Sequence, residues 1–283
     1  MIENGEKDLI LNQFIKVKTN MKKVIIILLV TTLISQIVGE FLSFDYRDRF
    51  SNKNILSYDE TLKKIDSLYY LNGFDSKFLL NSVDVFSKGV EHLDHEKYQE
   101  SKLSIIPFYK NYILWSLGYI DKVFLKKRIF YPFETTNYKL SLGRGYGICS
   151  QNSLGYSDLL YKKYDINLKV VGLNGHVVTY FKNDTLEFFL DPSLGIGFQT
   201  DYPNIENQYD EINELISKTK FSELYQNSGQ LYNIEDNIIP SKHGPEGYKP
   251  KTYVFEKILF YLKYISLIVP ILFLSYYKRF YKK

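Results

Sequence analysis

Residues 149–192 change hydrophobic period once, and that change decides the class of fold. In 149-CSQNSLGYSDLLYKKY-164, Leu154, Leu160, Tyr161 and Tyr164 recur at helical spacing. The stretch 168-LKVVG-172 then reads as a strand. It is followed by 176-HVVTYF-181, a turn at 182-KNDT-185 and 186-LEFFLDP-192, which together read as a hairpin. The chain before this point is helical in pattern over 56–126. Ser57 or Asp59 can cap a helix whose stripe is Leu62, Ile65 and Leu68. Two further helical patterns run over 77–93 and 109–125. An α+β fold is therefore expected, with a helical N-terminal part and an antiparallel sheet behind it. At 283 residues and 45% hydrophobic content, the chain is long enough to bury a sizeable core in one main domain.

Two apolar runs bracket this region. The run 24-VIIILLVTTLISQIVGEFLS-43 carries no charge until Glu40, and Lys16, Lys18, Lys22 and Lys23 precede it. It has the length of a membrane span, as an anchor or a signal segment. Met21 also reads as a start of the signal type, with residues 1–20 as an extension. The run 258-ILFYLKYISLIVPILFLSYY-277 reads as a second span, interrupted by Lys263 and Pro270 and followed by Lys278, Arg279, Lys282 and Lys283. The excess of positive charge outside the runs puts both ends in the cytoplasm. The expected organisation is a tail at 1–23, a span at 24–43, an outward-facing domain at 45–252, a span at 258–277 and a basic tail at 278–283. On this reading the lipid bilayer is a partner, and location alone suggests a peptide or protein substrate, such as one of the cell envelope.

Net charge is only +4, which does not argue for nucleic acid, and the 26 tyrosines lie along no recognisable basic groove. The single cysteine excludes an internal disulfide and a CxxC metal site. His92 and His95 could share a helix face, but no third ligand pattern accompanies them, so they read as a polar helix end. His243 lies in the Pro/Gly-rich linker 240-PSKHGPEGYKP-250 and is given no role. The triplet 183-NDT-185 fits a glycosylation sequon, which matters only in a eukaryotic secretory setting. No metal or organic cofactor is indicated.

The lone cysteine, Cys149, stands where the helical pattern begins, behind 143-GRGYGI-148. A thiolate there lies on the positive end of the helix dipole, among first-turn N–H groups that lack acceptors. Gly145 and Gly147 allow a tight turn and a close backbone approach. A phosphate cradle is the weaker alternative, because GRGYG fits neither nucleotide-binding glycine pattern. A thiol nucleophile needs a base, and the base needs an orienting group. If the hairpin loop is centred on Asn183-Asp184, His176 pairs directly with Asp191, their Cβ atoms about 5 Å apart on one face. The other face, with Val177, Thr179, Phe181, Leu186, Phe188 and Leu190, is largely apolar and is expected to pack on the core. The His–Asp face is expected to be the presented one.

In this order of G-x-C, helix, strand, G-H-V strand start and closing D-P, residues 147–192 resemble the transglutaminase-like superfamily of cysteine enzymes. The resemblance implies a papain-like architecture, with Cys on a helix and His and Asp on adjacent strands. It implies Cys149 as nucleophile, His176 as general base and then acid, and Asp191 as its orienter. Three positions depart from the family pattern: Ser153 replaces a common Ala, Asp165 a common Gly, and Val177-Val178 a frequent Ala-Trp. The expected function is a membrane-anchored cysteine hydrolase or acyltransferase acting on amide bonds. The alternatives are a catalytically inactive, membrane-tethered binding or assembly module that keeps the fold, and a redox-sensing thiol.

Overall fold

The computed structural model of the protein describes residues 23–27, 29–34, 37, 39, 55–93, 106–126, 130, 133–173, 175–200, 208–219 and 242–281. The chain divides into two compact units. The smaller comprises Met1–Leu42, Pro107–Ser116 and Ile258–Lys283, and the larger Ser43–Ile106 and Leu117–Lys257.

The first two helices of the larger unit start where a side chain accepts the first free N–H groups. Helix α1, Tyr58–Asn72, opens on a capping box: Ser57 Oγ accepts from Glu60 N at 3.2 Å, and Glu60 Oε2 accepts from Ser57 N at 2.9 Å. Helix α2, Ser76–Gly89, opens on Asp75, whose Oδ1 accepts from Phe78 N at 2.6 Å. It stops short of the expected residue 93 because the chain leaves it to form strand β1, Glu91–His92. That strand pairs in parallel with β2, Tyr146–Gly147. His92 thus lies on a strand rather than a helix face, and His95 lies outside the described residues. Helix α3, Tyr112–Ile120, continues into a π turn over Asp121–Leu125. Helix α4, Tyr138–Arg144, and helix α5, Cys149–Tyr164, flank β2.

The main sheet follows: β3 Lys169–Leu173, β4 His176–Lys182, β5 Glu187–Asp191 and β6 Ile196–Gln199. The strands are antiparallel and lie in sequence order. The chain is completed by α6 Tyr209–Ser217, α7 Gly244–Tyr248 and α8 Pro250–Tyr281. Both faces of the sheet are covered. Phe181, Phe188 and Leu190 pack with Ile65, Phe78 and Phe86 of α1 and α2 and with Tyr156 of α5. Val178, Tyr180, Phe189 and Phe198 pack with Ile212 and Ile216 of α6. Each large apolar side chain so buried contributes about 1.5–3 kcal/mol before chain entropy is subtracted. The sequence pattern left one face of the hairpin open, but α6 supplies the apolar cover.

The hairpin register also differs from the expected one. Thr179 pairs with Leu190, Phe181 with Phe188 and Lys182 with Glu187. The loop is therefore Asp184-Thr185 rather than Asn183-Asp184. Asn183 causes the shift: its backbone N–H donates to Leu186 O at 2.9 Å, and its Oδ1 accepts from Thr185 N at 3.0 Å and Leu186 N at 2.7 Å. The slip is two residues, so every side chain keeps its face.

The expected membrane organisation is overturned. Among the described residues, no helix is long and apolar enough to cross a membrane. The two spans, and with them the two-pass topology and the outward-facing domain, are contradicted, although residues 28, 35, 36, 38 and 40–43 of the first lie outside the described residues. Helix α8 is long, at 32 residues, but Lys251, Glu256, Lys257 and Lys263 interrupt it. Lys263 does not reach away from the protein. It is buried, and its Nζ donates to Lys110 O at 3.2 Å within the smaller unit. Glu256, in the larger unit, is buried among Thr135 and Thr136.

Candidate active site

Cys149 is the first residue of α5 and is partly exposed. Ile148 precedes it in extended backbone and offers no side-chain cap, so the first-turn N–H groups face the thiol end of the helix without a competing acceptor from the cap. The glycine approach has two separate causes. Gly145 has φ +75°, a left-handed conformation that ends α4 and turns the chain into β2. Gly147 lies against the first turn of α5: a Cβ there would stand 2.7 Å from Asn152 Oδ1 and 2.7 Å from Gln151 Cγ. Only glycine lets the chain pass this close to the helix it is about to enter.

The first turn of α5 is fixed to the sheet. Ser153 Oγ donates to Val177 O at 2.8 Å, one residue beyond His176. The Ser153 hydroxyl thus holds α5 against β4, next to His176. Gln151 Nε2 donates to Thr135 O at 2.8 Å, and Ser150 Oγ to Glu134 Oε2 at 2.6 Å. At the far end, Asp165 adopts φ 57° as the left-handed cap. Its N–H donates to Tyr161 O, and that of Ile166 donates to Leu160 O. Aspartate is one of the few residues other than glycine that tolerate this conformation.

His176 opens β4 and Asp191 closes β5. In an antiparallel pair those ends are adjacent. His176 Nε2 and Asp191 Oδ2 lie 2.6 Å apart, with the side chains 4% and 0% exposed. The two-residue slip makes them diagonal neighbours rather than directly opposed, a separation that long side chains span. Asp191 is itself held: its Oδ1 accepts from Ser193 N at 2.9 Å and Leu194 N at 3.2 Å. Ser193 Oγ accepts in turn from Asn152 Nδ2 at 3.4 Å. The turn after Asp191 is signalled in the sequence by D-P-S, although its role in fixing the carboxylate is not.

With Nε2 on the carboxylate, the other ring nitrogen, Nδ1, is left for the thiol. Burial by itself pushes the imidazole toward its neutral form. The Asp191 charge and hydrogen bond, helped by a hydrogen bond and charge interaction with Cys149, outweigh burial and raise His176 to about 10. The three sequence-picked residues therefore meet at one end of the sheet, as a buried imidazolium between a fixed carboxylate and a partly exposed thiol.

Comparison with known proteins finds no matching family model, no matching curated protein and no matching solved structure. Among the described residues, no group of three His, Cys, Asp or Glu side chains is gathered as a metal site would require.

Two neighbours of the site carry no motif. Glu134 accepts from both Ser150 Oγ and Lys249 Nζ, each at 2.6 Å. Tyr248 packs in the apolar cluster that holds Cys149, Leu154, Val170 and Val177. Glu134 lies outside any helix or strand, and Tyr248 ends a five-residue helix, too short for a hydrophobic period to be read.

Proposed function

We propose that this protein is a cysteine enzyme of transglutaminase-like type, acting on amide or related acyl bonds through Cys149, His176 and Asp191. The observation that carries the reading is the 2.6 Å His176–Asp191 contact, with Cys149 coupled to the same imidazole at a helix N-terminus. Asp191 orients the ring and stabilises its charged form. His176 holds the proton of the Cys149 thiol as an imidazolium, and the thiolate Sγ attacks the carbonyl carbon to form a C–S bond and a tetrahedral oxyanion. The Cys149 N–H, unpaired within its helix, faces that oxygen. As the C–N bond breaks, His176 gives its proton to the leaving nitrogen, and a thioester remains. Water or an amine then attacks the thioester, His176 takes the proton of the attacker, and the C–S bond breaks to release an acid or a new amide. The substrate class supported is a peptide or protein carbonyl, since a partly exposed nucleophile at the end of a sheet admits an extended chain.

The test is formation of the thioester. After brief exposure to p-nitrophenyl acetate at neutral pH, intact-mass measurement should find one acetyl group on the full chain. Cys149→Ala should abolish it, and His176→Ala should slow it by about 100-fold or more. Acetylation that survives Cys149→Ala would defeat the reading.

A further inference from the structure

The mechanism above names one donor for the oxyanion, and most such sites use two. The segment after residue 242 places a candidate beside the thiol. Helix α7 lies along the free edge of β3. Gly244 N donates to Leu168 O at 2.6 Å, and Gly244 bridges Lys169 in parallel. Just past the helix, Lys249 Nζ bonds Glu134 Oε2 at 2.6 Å, and the same oxygen accepts from Ser150, the neighbour of Cys149. The segment is therefore fastened at one end to the sheet edge and at the other to the first turn of the nucleophile helix.

Tyr248 lies between those fastenings. Its ring covers Gly172 of β3, where a Cβ would stand 3.5 Å from Cε2 and 3.8 Å from the phenol oxygen. The same ring belongs to the cluster that includes Cys149 and Val177. The Tyr248 ring thus rests over the open backbone of Gly172, within van der Waals reach of β3. Resting on the reading of Cys149 as an acyl-transfer nucleophile, we propose that the Tyr248 hydroxyl is the second oxyanion donor, opposite the Cys149 N–H. Burial, then the nearby charges of Glu134 and Cys149, push the phenol up to about 12. The group therefore keeps its proton, and so its ability to donate, across the neutral range. An apolar cluster around a single donor strengthens a hydrogen bond to a developing charge. The phenol oxygen gains most when the carbonyl oxygen turns anionic, so its effect falls on the rate of acylation rather than on access to the thiol.

Two probes applied to the full chain separate these quantities. Chloroacetamide alkylates Sγ by displacing chloride and forms no oxyanion. p-Nitrophenyl acetate acylates Sγ through a tetrahedral oxyanion and releases p-nitrophenolate. Tyr248→Phe is expected to keep alkylation within about twofold of the natural protein and to slow acylation by about 10- to 100-fold. Tyr248→Leu, which removes ring and donor together, should slow acylation at least as much. Unchanged acylation in Tyr248→Phe would overturn the proposal. So would a parallel rise in both rates, which would make Tyr248 a cover over the thiol, or a parallel fall, which would make it only a support. None of these outcomes imitates failure of the underlying reading, which appears instead as alkylation indifferent to His176→Ala.

Discussion

At the scale of the residue, two opposing effects act on the one buried ring of His176. Burial favours the neutral imidazole, and the Asp191 carboxylate favours the cation and prevails, to about 10. The consequence for stability has a definite sign. The folded ring binds its proton more tightly than an unfolded one near 6.5. The pair therefore stabilises the fold fully below about pH 6.5, and that stabilisation fades as pH rises toward about 10. Asp191→Asn removes the charge that raises the ring. Urea unfolding should find the stability gap between the natural protein and Asp191→Asn widest near pH 6 and narrowest near pH 10. A gap that does not vary with pH would contradict this account. The identities of Cys149, His176 and Asp191 were legible because the lone cysteine and the hairpin ends stand out in the sequence. Ser153 and Tyr248 were not, since a hydroxyl on a helix and one tyrosine among 26 carry no local signal.

At the scale of the element, period and capping chemistry read well where segments are long. Ser57 caps α1, and the helix expected to start at Cys149 does start there. The expected hairpin forms, but its register differs from the expected one by two residues. Asn183 closes the turn with its own side chain, and composition does not distinguish which pair of K-N-D-T forms the loop. The His–Asp juxtaposition survives because strand side chains alternate with period two. A slip of one residue would have put them on opposite faces. Strands β1 and β2 are two residues each, too short for a period to be read, and they exist because Glu91 N donates to Gly145 O and Leu93 N to Gly147 O.

At the scale of the whole molecule, composition misled. Apolar runs near both ends read as spans, yet no described helix is long and apolar enough to cross a membrane. The start of α8 is instead built into the larger unit. Glu256 accepts from Thr136 N and Thr136 Oγ1, each at 2.6 Å, and from Thr135 Oγ1. The donors lie beside Glu134, so this carboxylate fixes the segment that supports the first turn of α5. Burial raises the Glu256 carboxyl in spite of these bonds. Glu256→Ala would leave the Thr136 N–H and two hydroxyls buried without their acceptor, at a cost of about 2–4 kcal/mol by urea unfolding. A loss below about 0.5 kcal/mol would mean that α8 is not anchored there.

The central claim is that Cys149 and His176 act as a pair, and the pH dependence of Cys149 alkylation tests it most directly. The measurement compares the full chain with His176→Ala, using iodoacetamide from about pH 5 to pH 10. A paired thiol stays reactive at about pH 6, where an isolated thiol is almost wholly protonated. His176→Ala should lose that reactivity and follow the curve of an ordinary thiol. If the two proteins give the same curve, no Cys–His pair exists and the proposed chemistry is wrong.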